Sequence, residues 1–325
     1  MEAMAQNIFR TGKNNFETTA LEVFHFQFGN NSLYRALVEE LKIEPHRVQR
    51  ITQIPFLPIG FFKSQEVKTG VFDATHIFES SGTTQTVNSR HFVKDISIYR
   101  ESFIRGFELF YGPVKNWCII GLLPGYLERT NSSLVWMVNE LVHMSRHQRS
   151  GFYLYEYDKL NQVLDELEGQ GQPTLLIGVT FALLDFAEQF RSRLKTTVVM
   201  ETGGMKGRKK EITRVETHAI LGEKFGLQNI HSEYGMTELL SQAYAKEKGL
   251  FEPVPWMKML VRSEDDPFAV AAEGAGLLNI IDLANLYSCS FIATDDVGQV
   301  YADGKFEIAG RADNSDLRGC SLLVA

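Results

Sequence analysis

Cysteine is scarce in this 325-residue sequence, and the three that occur, Cys118, Cys289 and Cys320, are widely spaced. An odd number at such spacing indicates neither a disulfide framework nor a zinc site, and a reducing cytoplasm is the expected environment. Long apolar runs are also missing, since the most apolar stretch, residues 175–187, is shorter than the roughly 20 residues of a membrane helix. The N-terminus lacks the basic and apolar regions of a signal peptide. The sequence therefore predicts a cytoplasmic protein without a membrane span.

Positive charge is in deficit, because 33 lysines and arginines face 40 aspartates and glutamates, for a formal net charge of −7. Nucleic-acid-binding proteins normally carry a basic patch, and the one dense basic run, residues 206–210, is interpreted as a solvated loop. We therefore expect no nucleic-acid partner. Hydrophobic residues make up 44% of the sequence, which is enough for a sizeable core in roughly two domains or subdomains.

Short apolar runs alternate with amphipathic helical segments from residue 75 onward. The runs predict strands at 75–78, 117–121, 151–157, 174–177, 196–200 and 229–233. The predicted helices span 89–111, 132–144, 159–168, 183–190 and 214–225. Because the strands are apolar throughout and do not alternate, they indicate an α/β fold with mostly parallel sheets covered by helices. In such folds ligands bind beyond the carboxyl ends of the strands.

The chain divides into three parts that differ in their predicted secondary structure. Residues 1–74 combine helical patterns, one of them beginning at Ser32 as its expected N-cap, with a proline-rich extended passage. We expect this segment to pack on the main α/β domain, residues 75–250. Residues 251–325 contain shorter strands between turns, which predicts a smaller β-rich C-terminal subdomain.

A hydroxyl-rich glycine loop directly after the strand at 75–78 is the first candidate for ligand binding. Its residues are Ser80, Ser81, Gly82, Thr83, Thr84 and Gln85. Backbone N–H groups and hydroxyls in such a loop can surround a polyphosphate, although a solvated turn uses the same residue types. The loop is not a Walker A motif, because the Gly-x-x-x-x-Gly-Lys-Ser/Thr spacing is absent.

Two further segments follow predicted strands. Gly203 and Gly204 suit either a strand-ending turn or a close approach of the backbone to a ligand. In the segment 234–238, Tyr234 is suited to stack on a base, Thr237 to donate to a phosphate and Glu238 to hold a hard cation such as Mg²⁺. The same segment also fits a simple helix start with Thr237 as the cap.

Charged residues near the C-terminal end supply the remaining candidates. Asp295 and Asp296 follow an apolar run, where a carboxylate suits ribose hydroxyls or a polar β-turn. Arg311 lies in a charged segment and suits a ribose or a phosphate, with a solvated surface loop as the alternative.

The order of these segments resembles that of the adenylate-forming ligases, the superfamily of acyl-CoA synthetases, peptide-synthetase adenylation domains and luciferases. Residues 80–85 resemble the phosphate loop of that family, and 202–204 resemble its adenine-side glycine segment. Residues 234–238 match its Tyr-Gly-x-Thr-Glu motif in full, which includes Gly235. The resemblance implies ATP with Mg²⁺, a domain at 75–250 that binds ATP and the acyl group, and Glu238 as the metal ligand.

Two more matches complete the resemblance. Residues 294–296 match the Thr-x-Asp segment, which implies that Asp296 binds the ribose. Residues 310–313 match the Gly-Arg-x-Asp segment, which implies that Arg311 contacts the ribose just before a hinge.

Within the superfamily, residues 54–64, 122–129 and 132–135 resemble the acyl-protein synthetases, the fatty-acid-activating ligases of bacterial bioluminescence. This closer resemblance implies that a fatty acid is activated to acyl-AMP, that its acyl group passes to Cys320 as a thioester, and that an acyl reductase or another acceptor protein receives it. Cys320 also fits a packed apolar position. The expected acyl pocket consists of Leu123, Pro124, Tyr126 and Leu134. An acyl- or aryl-CoA ligase and a catalytically degenerate nucleotide-binding homologue are the alternatives.

The sequence departs from the family pattern at two places. Gln85 replaces the usual final glycine of the phosphate loop. The sequence ends shortly after the hinge-like segment, so the mobile lid with its adenylation lysine is expected to be absent. Lys63, Arg90 and Arg318 are candidates for the missing cation, and the sequence does not choose among them.

Overall fold

Strands and helices alternate along the computed structural model of the chain, which describes residues 2–80, 87–124, 131–190, 193–204 and 212–312. The helices there are α1 (Glu2–Ile8), α2 (Phe16–Asn30), α3 (Ser32–Glu40), α4 (Phe61–Ser64), α5 (Ile96–Tyr111), α6 (Ser133–Ser145), α7 (Tyr157–Gln170), α8 (Thr180–Gln189) and α9 (Arg214–Phe225). The strands are β1 (Leu57–Pro58), β2 (His76–Glu79), β3 (Arg90–Val93), β4 (Cys118–Leu122), β5 (Gly151–Phe152), β6 (Thr174–Gly178), β7 (Thr197–Glu201), β8 (His231–Tyr234), β9 (Ala243–Ala245), β10 (Glu252–Pro253), β11 (Met257–Arg262), β12 (Val270–Ala271), β13 (Gly274–Asp282), β14 (Phe291–Val300) and β15 (Phe306–Arg311).

The larger sheet has the strand order β10-β9-β8-β7-β6-β4-β5. The pairs β5–β4, β4–β6, β6–β7 and β7–β8 are parallel, whereas the pairs β8–β9 and β9–β10 are antiparallel. Every residue of β4 and β6 is buried, as expected for apolar strands in a mostly parallel sheet that is covered on both faces. This sheet confirms the predicted α/β class. The parallel arrangement also brings the carboxyl ends of β7 and β8 to the same edge.

The second sheet contains most of the chain beyond residue 250. Its order is β1-β14-β13-β11-β12, with β15 paired to β14. Its pairs are antiparallel except for β1, which comes from the N-terminal segment and runs parallel to β14. This smaller sheet therefore joins a short strand of the N-terminal segment to the C-terminal strands.

The helix predicted at 89–111 is wrong at its start, because Arg90–Val93 form strand β3. This strand pairs antiparallel with β2 in a two-stranded hairpin that is separate from both larger sheets. Burial of His91, Phe92 and Val93 in the hairpin overrides the local helical pattern. Helix α5 begins after Asp95, whose side chain accepts a hydrogen bond from the backbone N–H of Ser97 at 2.9 Å.

The structure also tests several smaller predictions, about a helix cap and the cysteines. Helix α3 is capped by Asn31 and not by the expected Ser32, since the Asn31 side chain accepts from the Tyr34 N–H. Cys118 lies buried in β4 as predicted, and burial raises the pKa of its thiol to about 11. Burial raises the pKa of Cys289 to about 12. In the part of the chain that the structure describes, no helix combines the length and the apolarity of a membrane span.

Candidate active site

Three of the predicted site residues meet where β8 of the larger sheet contacts β14 and β15 of the second sheet. The hydroxyl of Tyr234, at the end of β8, donates to Asp296 Oδ2 at 2.7 Å. Arg311, opposite Asp296 in the register of β14 and β15, donates from Nε to Asp296 Oδ1 at 3.0 Å. The two sheets thus bring together a phenol, a carboxylate and a guanidinium that are far apart in the sequence.

Asp296 is the centre of this group and is held rigidly. Its carboxylate is buried, and its backbone N–H donates to the hydroxyl of Thr294 at 3.2 Å. The Asp296 charge raises the pKa of Arg311, whose side chain remains two-thirds exposed. Burial, followed by the Asp296 charge, raises the pKa of Tyr234. A buried carboxylate beside an accessible guanidinium suits a ligand that carries both hydroxyls and negative charge.

Tyr234 is held on its other side by aromatic packing. Its ring makes edge contacts with Phe251 at 5.9 Å and Phe306 at 5.6 Å between centroids. These contacts and the hydrogen bond to Asp296 fix the ring in one orientation. The alternative of a helix start at 234–238 is not realised, because residues 235–242 contain no helix and lead directly into β9.

Thr237 and Glu238 lie in the turn after β8 and are tied to the β2–β3 hairpin. The ring of His91, in β3, donates from Nδ1 to the backbone carbonyl of Thr237 at 2.8 Å. Burial lowers the pKa of His91 to about 4, so the ring is neutral at pH 7. Burial raises the pKa of Glu238, and a hydrogen bond with the Ser89 side chain limits the rise. The hairpin and the turn therefore form one unit.

The hydroxyl-rich loop begins at the end of this hairpin. Ser80 N–H donates to the Ser89 carbonyl at 3.0 Å, and Ser89 N–H donates to Ser80 Oγ at 2.9 Å. Ser81, Gly82, Thr83, Thr84 and Gln85 lie outside the described residues. Because the Ser89 side chain is close enough to Glu238 to limit the rise in its pKa, the base of the loop lies beside Glu238.

Gly203 and Gly204 follow β7 with backbone φ angles of +74° and +90°. Both values lie in the region that favours glycine. The Gly203 carbonyl accepts from Thr180 N–H, at the start of α8, at 3.0 Å, and the Gly203 N–H donates to Glu201 Oε2 at 2.7 Å. The glycine pair therefore forms a fixed turn, as expected for a strand end, and it lies next to a buried carboxylate.

That carboxylate, Glu201, was not singled out from the sequence although it directly precedes the glycine pair. The acceptor Oε1 is 2.6 Å from Ser232 Oγ, 3.2 Å from Arg214 Nε and 3.5 Å from His218 Nε2. Burial alone raises the pKa of Glu201, but the His218 hydrogen bond and the Arg214 charge overcome it and lower the pKa to about 2. Glu201 thus joins β7, β8 and α9 at the edge that carries the site.

Asp282 is a second positioning residue that the sequence did not reveal. Its Oδ2 accepts from the N–H groups of Leu240 at 2.8 Å and Ser241 at 3.0 Å, and its Oδ1 accepts from Ser241 Oγ at 2.6 Å. Asn285 adds a bond from Nδ2 to the Glu238 carbonyl at 2.7 Å. The second sheet therefore holds the turn that contains Glu238. No local sequence signal marks these contacts, since they join residues more than 40 positions apart.

The expected acyl-pocket residues lie on another part of the edge. Leu123 and Pro124 are buried after β4, and Leu134 is half-buried in α6. In the sheet order, β6 and β7 separate β4 from β8. Tyr126 and Cys320 lie outside the described residues. Within the described residues, no group of three or more His, Cys, Asp or Glu side chains has the arrangement of a metal site.

Comparison with solved structures finds proteins of the same fold. The chain aligns with 2-hydroxyisobutyryl-CoA ligase, solved in complex with 2-HIB-AMP and CoA, at a TM-score of 0.68 and 11% identity over 94% of this chain and 72% of that one. ATP-bound MatB from Rhodopseudomonas palustris aligns at a TM-score of 0.55 and 17% identity over 72% and 47% of the two chains. A luciferase-like enzyme from the nonluminescent mealworm Zophobas morio gives a TM-score of 0.50 and 15% identity over 74% and 59%. At these identities the likeness establishes the fold.

The family comparison is more specific. No curated protein gives a significant match to the chain. The family model described as "Acyl-protein synthetase, LuxE" matches residues 11–325, nearly the whole chain. The chain belongs to the LuxE family of acyl-protein synthetases and is an ATP-dependent, AMP-forming ligase.

Proposed function

We propose that the protein activates a fatty acid, or a related carboxylic acid, to acyl-AMP and then transfers the acyl group to Cys320 as a thioester. The observation that carries the proposal is the contact of Tyr234, Asp296 and Arg311 beside Glu238. A carboxylate that accepts from ribose hydroxyls and a guanidinium that reaches ribose or phosphate are both available there. Residues 80–85 would hold the phosphates, and Gly203 and Gly204 would line the adenine side.

In the first step, a carboxylate oxygen of the acid attacks the α-phosphorus of ATP, and pyrophosphate leaves. The protein contributes no nucleophile to this step, so its work is to position the two substrates and to offset charge. Glu238 fits a role as the Mg²⁺ ligand, because Mg²⁺ is usually held by one or two carboxylates together with substrate phosphates. The bond from Asn285 to the Glu238 carbonyl holds the backbone of this residue, and the Ser89 side chain lies beside its carboxyl group.

In the second step, the Cys320 sulfur attacks the acyl carbon, AMP leaves with the bonding electrons, and the thiol proton passes to solvent. An unperturbed thiol is only about 3% ionised at pH 7, and a nearby cation increases that fraction. Acyl-AMP is a mixed anhydride, so a small thiolate fraction is sufficient for attack. The acyl chain would lie among Leu123, Pro124, Tyr126 and Leu134, and an acyl reductase or another acceptor protein would receive the thioester.

Mass spectrometry of the intact protein tests the thioester directly. After incubation with ATP and a fatty acid, we expect the protein mass to increase by one acyl group, and we expect hydroxylamine to remove it. Cys320→Ser should abolish the adduct, while the control Cys289→Ala, at a buried cysteine, should retain it. An acyl product that forms only after CoA is added would instead identify an acyl- or aryl-CoA ligase.

Removal of the proposed metal ligand should separate catalysis from folding. We expect Glu238→Gln to lower the rate of acyl-AMP formation by about 100-fold or more, because metal charge stabilisation contributes several kcal/mol. The rate should be measured against Mg²⁺ concentration together with the melting temperature. The control Glu223→Gln, on the exposed side of α9, should change neither quantity. A normal Mg²⁺ dependence in Glu238→Gln would contradict the metal assignment.

A further inference from the structure

Glu233 is a buried carboxyl that the proposed chemistry does not use. It precedes Tyr234 in β8, and because side chains alternate along a strand it points to the opposite face of the sheet. Only 8% of the residue is exposed. Within the described residues, no hydrogen bond or ion pair reaches its carboxyl group. Burial, together with the charge of Glu201, raises the pKa of Glu233 to about 8.

Gln242 places a second buried acceptor close by. Gln242 is 4% exposed, and its Oε1 has no hydrogen-bond partner in the described part of the chain. Both side chains border Gly235: a Cβ added there would overlap Glu233 Oε1 and would lie 3.6 Å from Gln242 Cγ. Glycine at this position therefore leaves room for the Glu233 carboxyl beside the turn that carries Thr237 and Glu238.

The hydroxyls of two neighbouring tyrosines, Tyr99 and Tyr111, bond to other groups. Tyr99, Tyr111 and Tyr244 lie close enough for the Glu233 charge to raise their pKa, after the larger effect of burial. The Tyr99 hydroxyl donates to the Ser133 carbonyl at 3.1 Å, and the Tyr111 hydroxyl lies 3.1 Å from His231 Nδ1. Both of these donors are thus engaged elsewhere.

We propose that Glu233 and Gln242 bind an O–H or N–H donor on the acid substrate, so that the enzyme selects a carboxylic acid bearing a hydroxyl or amino group. This inference rests on the proposed function, since it requires that a carboxylic acid bind next to the turn that carries Glu238. Leaving a buried acceptor without a donor costs free energy that a matching substrate recovers and an unsubstituted acid does not. Sites built to bond a substrate hydroxyl discriminate strongly against the analogue that lacks it.

The test compares matched pairs of acids in ATP–pyrophosphate exchange. The two acids of a pair have the same chain length. The first is unsubstituted, and the second carries a hydroxyl or an amino group at the α, β or terminal position. For at least one substituted acid we expect wild-type kcat/KM to exceed that of the plain acid by about 100-fold. Glu233→Leu should reduce this ratio to near unity, whereas Glu233→Gln, which keeps an acceptor, should retain much of it for the hydroxy acid. The two substituents show whether the donor is O–H or N–H.

ATP affinity shows whether each variant is folded, because the proposal predicts that a folded variant binds ATP as tightly as wild type does. If Glu233→Leu fails this check, Gln242→Leu serves instead and should lower the ratio by about 10-fold, the effect of one lost hydrogen bond. A wild-type preference for plain acids, or a ratio that is the same in wild type and in Glu233→Leu, would overturn the inference. Absence of exchange with every acid would overturn the proposed function and this inference with it. Exchange that does not discriminate between the acids would overturn this inference alone.

Discussion

Replacing Glu201 with leucine is expected to lower the free energy of unfolding by about 3–5 kcal/mol at pH 7, because breaking a buried ion pair leaves its partners uncompensated. Glu201 is 3% exposed and accepts from Ser232, Gly203 and Arg214. Its loss leaves polar groups of three elements without their shared acceptor. Glu201→Gln, which has nearly the same volume, should be destabilised less because it keeps one acceptor oxygen.

The pH dependence of this effect follows from the sign of the pKa shift. The pKa of Glu201 is lowered in the folded protein from 4.5 to about 2. The folded state therefore favours the charged form, and the stabilisation is fully present above about pH 5 and is lost as the pH falls through about 2. Urea unfolding of wild type and Glu201→Leu between pH 7 and the acid limit should show their difference shrinking on acidification. A difference below about 1 kcal/mol at pH 7, or one that does not change with pH, would contradict this role.

Asp296→Ala is expected to weaken ATP binding by about 5- to 150-fold, or 1–3 kcal/mol, because it removes a charged hydrogen-bond acceptor from the proposed ribose site. The same change releases Tyr234 and Arg311, which both donate to this carboxylate. Calorimetric titration with ATP measures the affinity. Asp295→Ala is the matched control, since Asp295 is adjacent but lies on the other face of β14. Equal ATP affinity in wild type and Asp296→Ala would refute the ribose assignment.

Local sequence pattern predicted the elements whose burial is regular along the chain, whether periodic as in α9 or continuous as in β6. The helix expected at 214–225 coincides with α9, because Thr213 and Glu216 form a capping box and Gly226 ends the helix. The strand expected at 174–177 extends by one residue to become β6. Strand β3 was missed because its residues pair with β2 in an antiparallel hairpin. The run expected at 151–157 yields only the short β5, since its pairing with β4 covers two residues.

The candidate site likewise combines residues that the sequence predicted with contacts that it did not predict. Tyr234, Glu238, Asp296 and Arg311 could be named from the sequence because the segments that contain them resemble motifs of the adenylate-forming ligases in the same order. The contacts that position them could not. His91 reaches Thr237 across 146 residues, and Asp282 reaches Leu240 across 42. Such pairings depend on how the hairpin and the second sheet pack against β8, which no local pattern encodes.

Acid-dependent ATP–pyrophosphate exchange tests the central claim, that this site forms acyl-AMP from ATP and a carboxylic acid. In this assay, labelled pyrophosphate enters ATP only when the first step runs in both directions. We expect exchange with wild type that requires the acid and falls sharply in Glu238→Gln, while Cys320→Ser retains it because Cys320 acts after the adenylate forms. Absence of exchange with every acid in a broad panel, from a folded protein that still binds ATP, would contradict the account and would indicate a nucleotide-binding homologue without ligase activity.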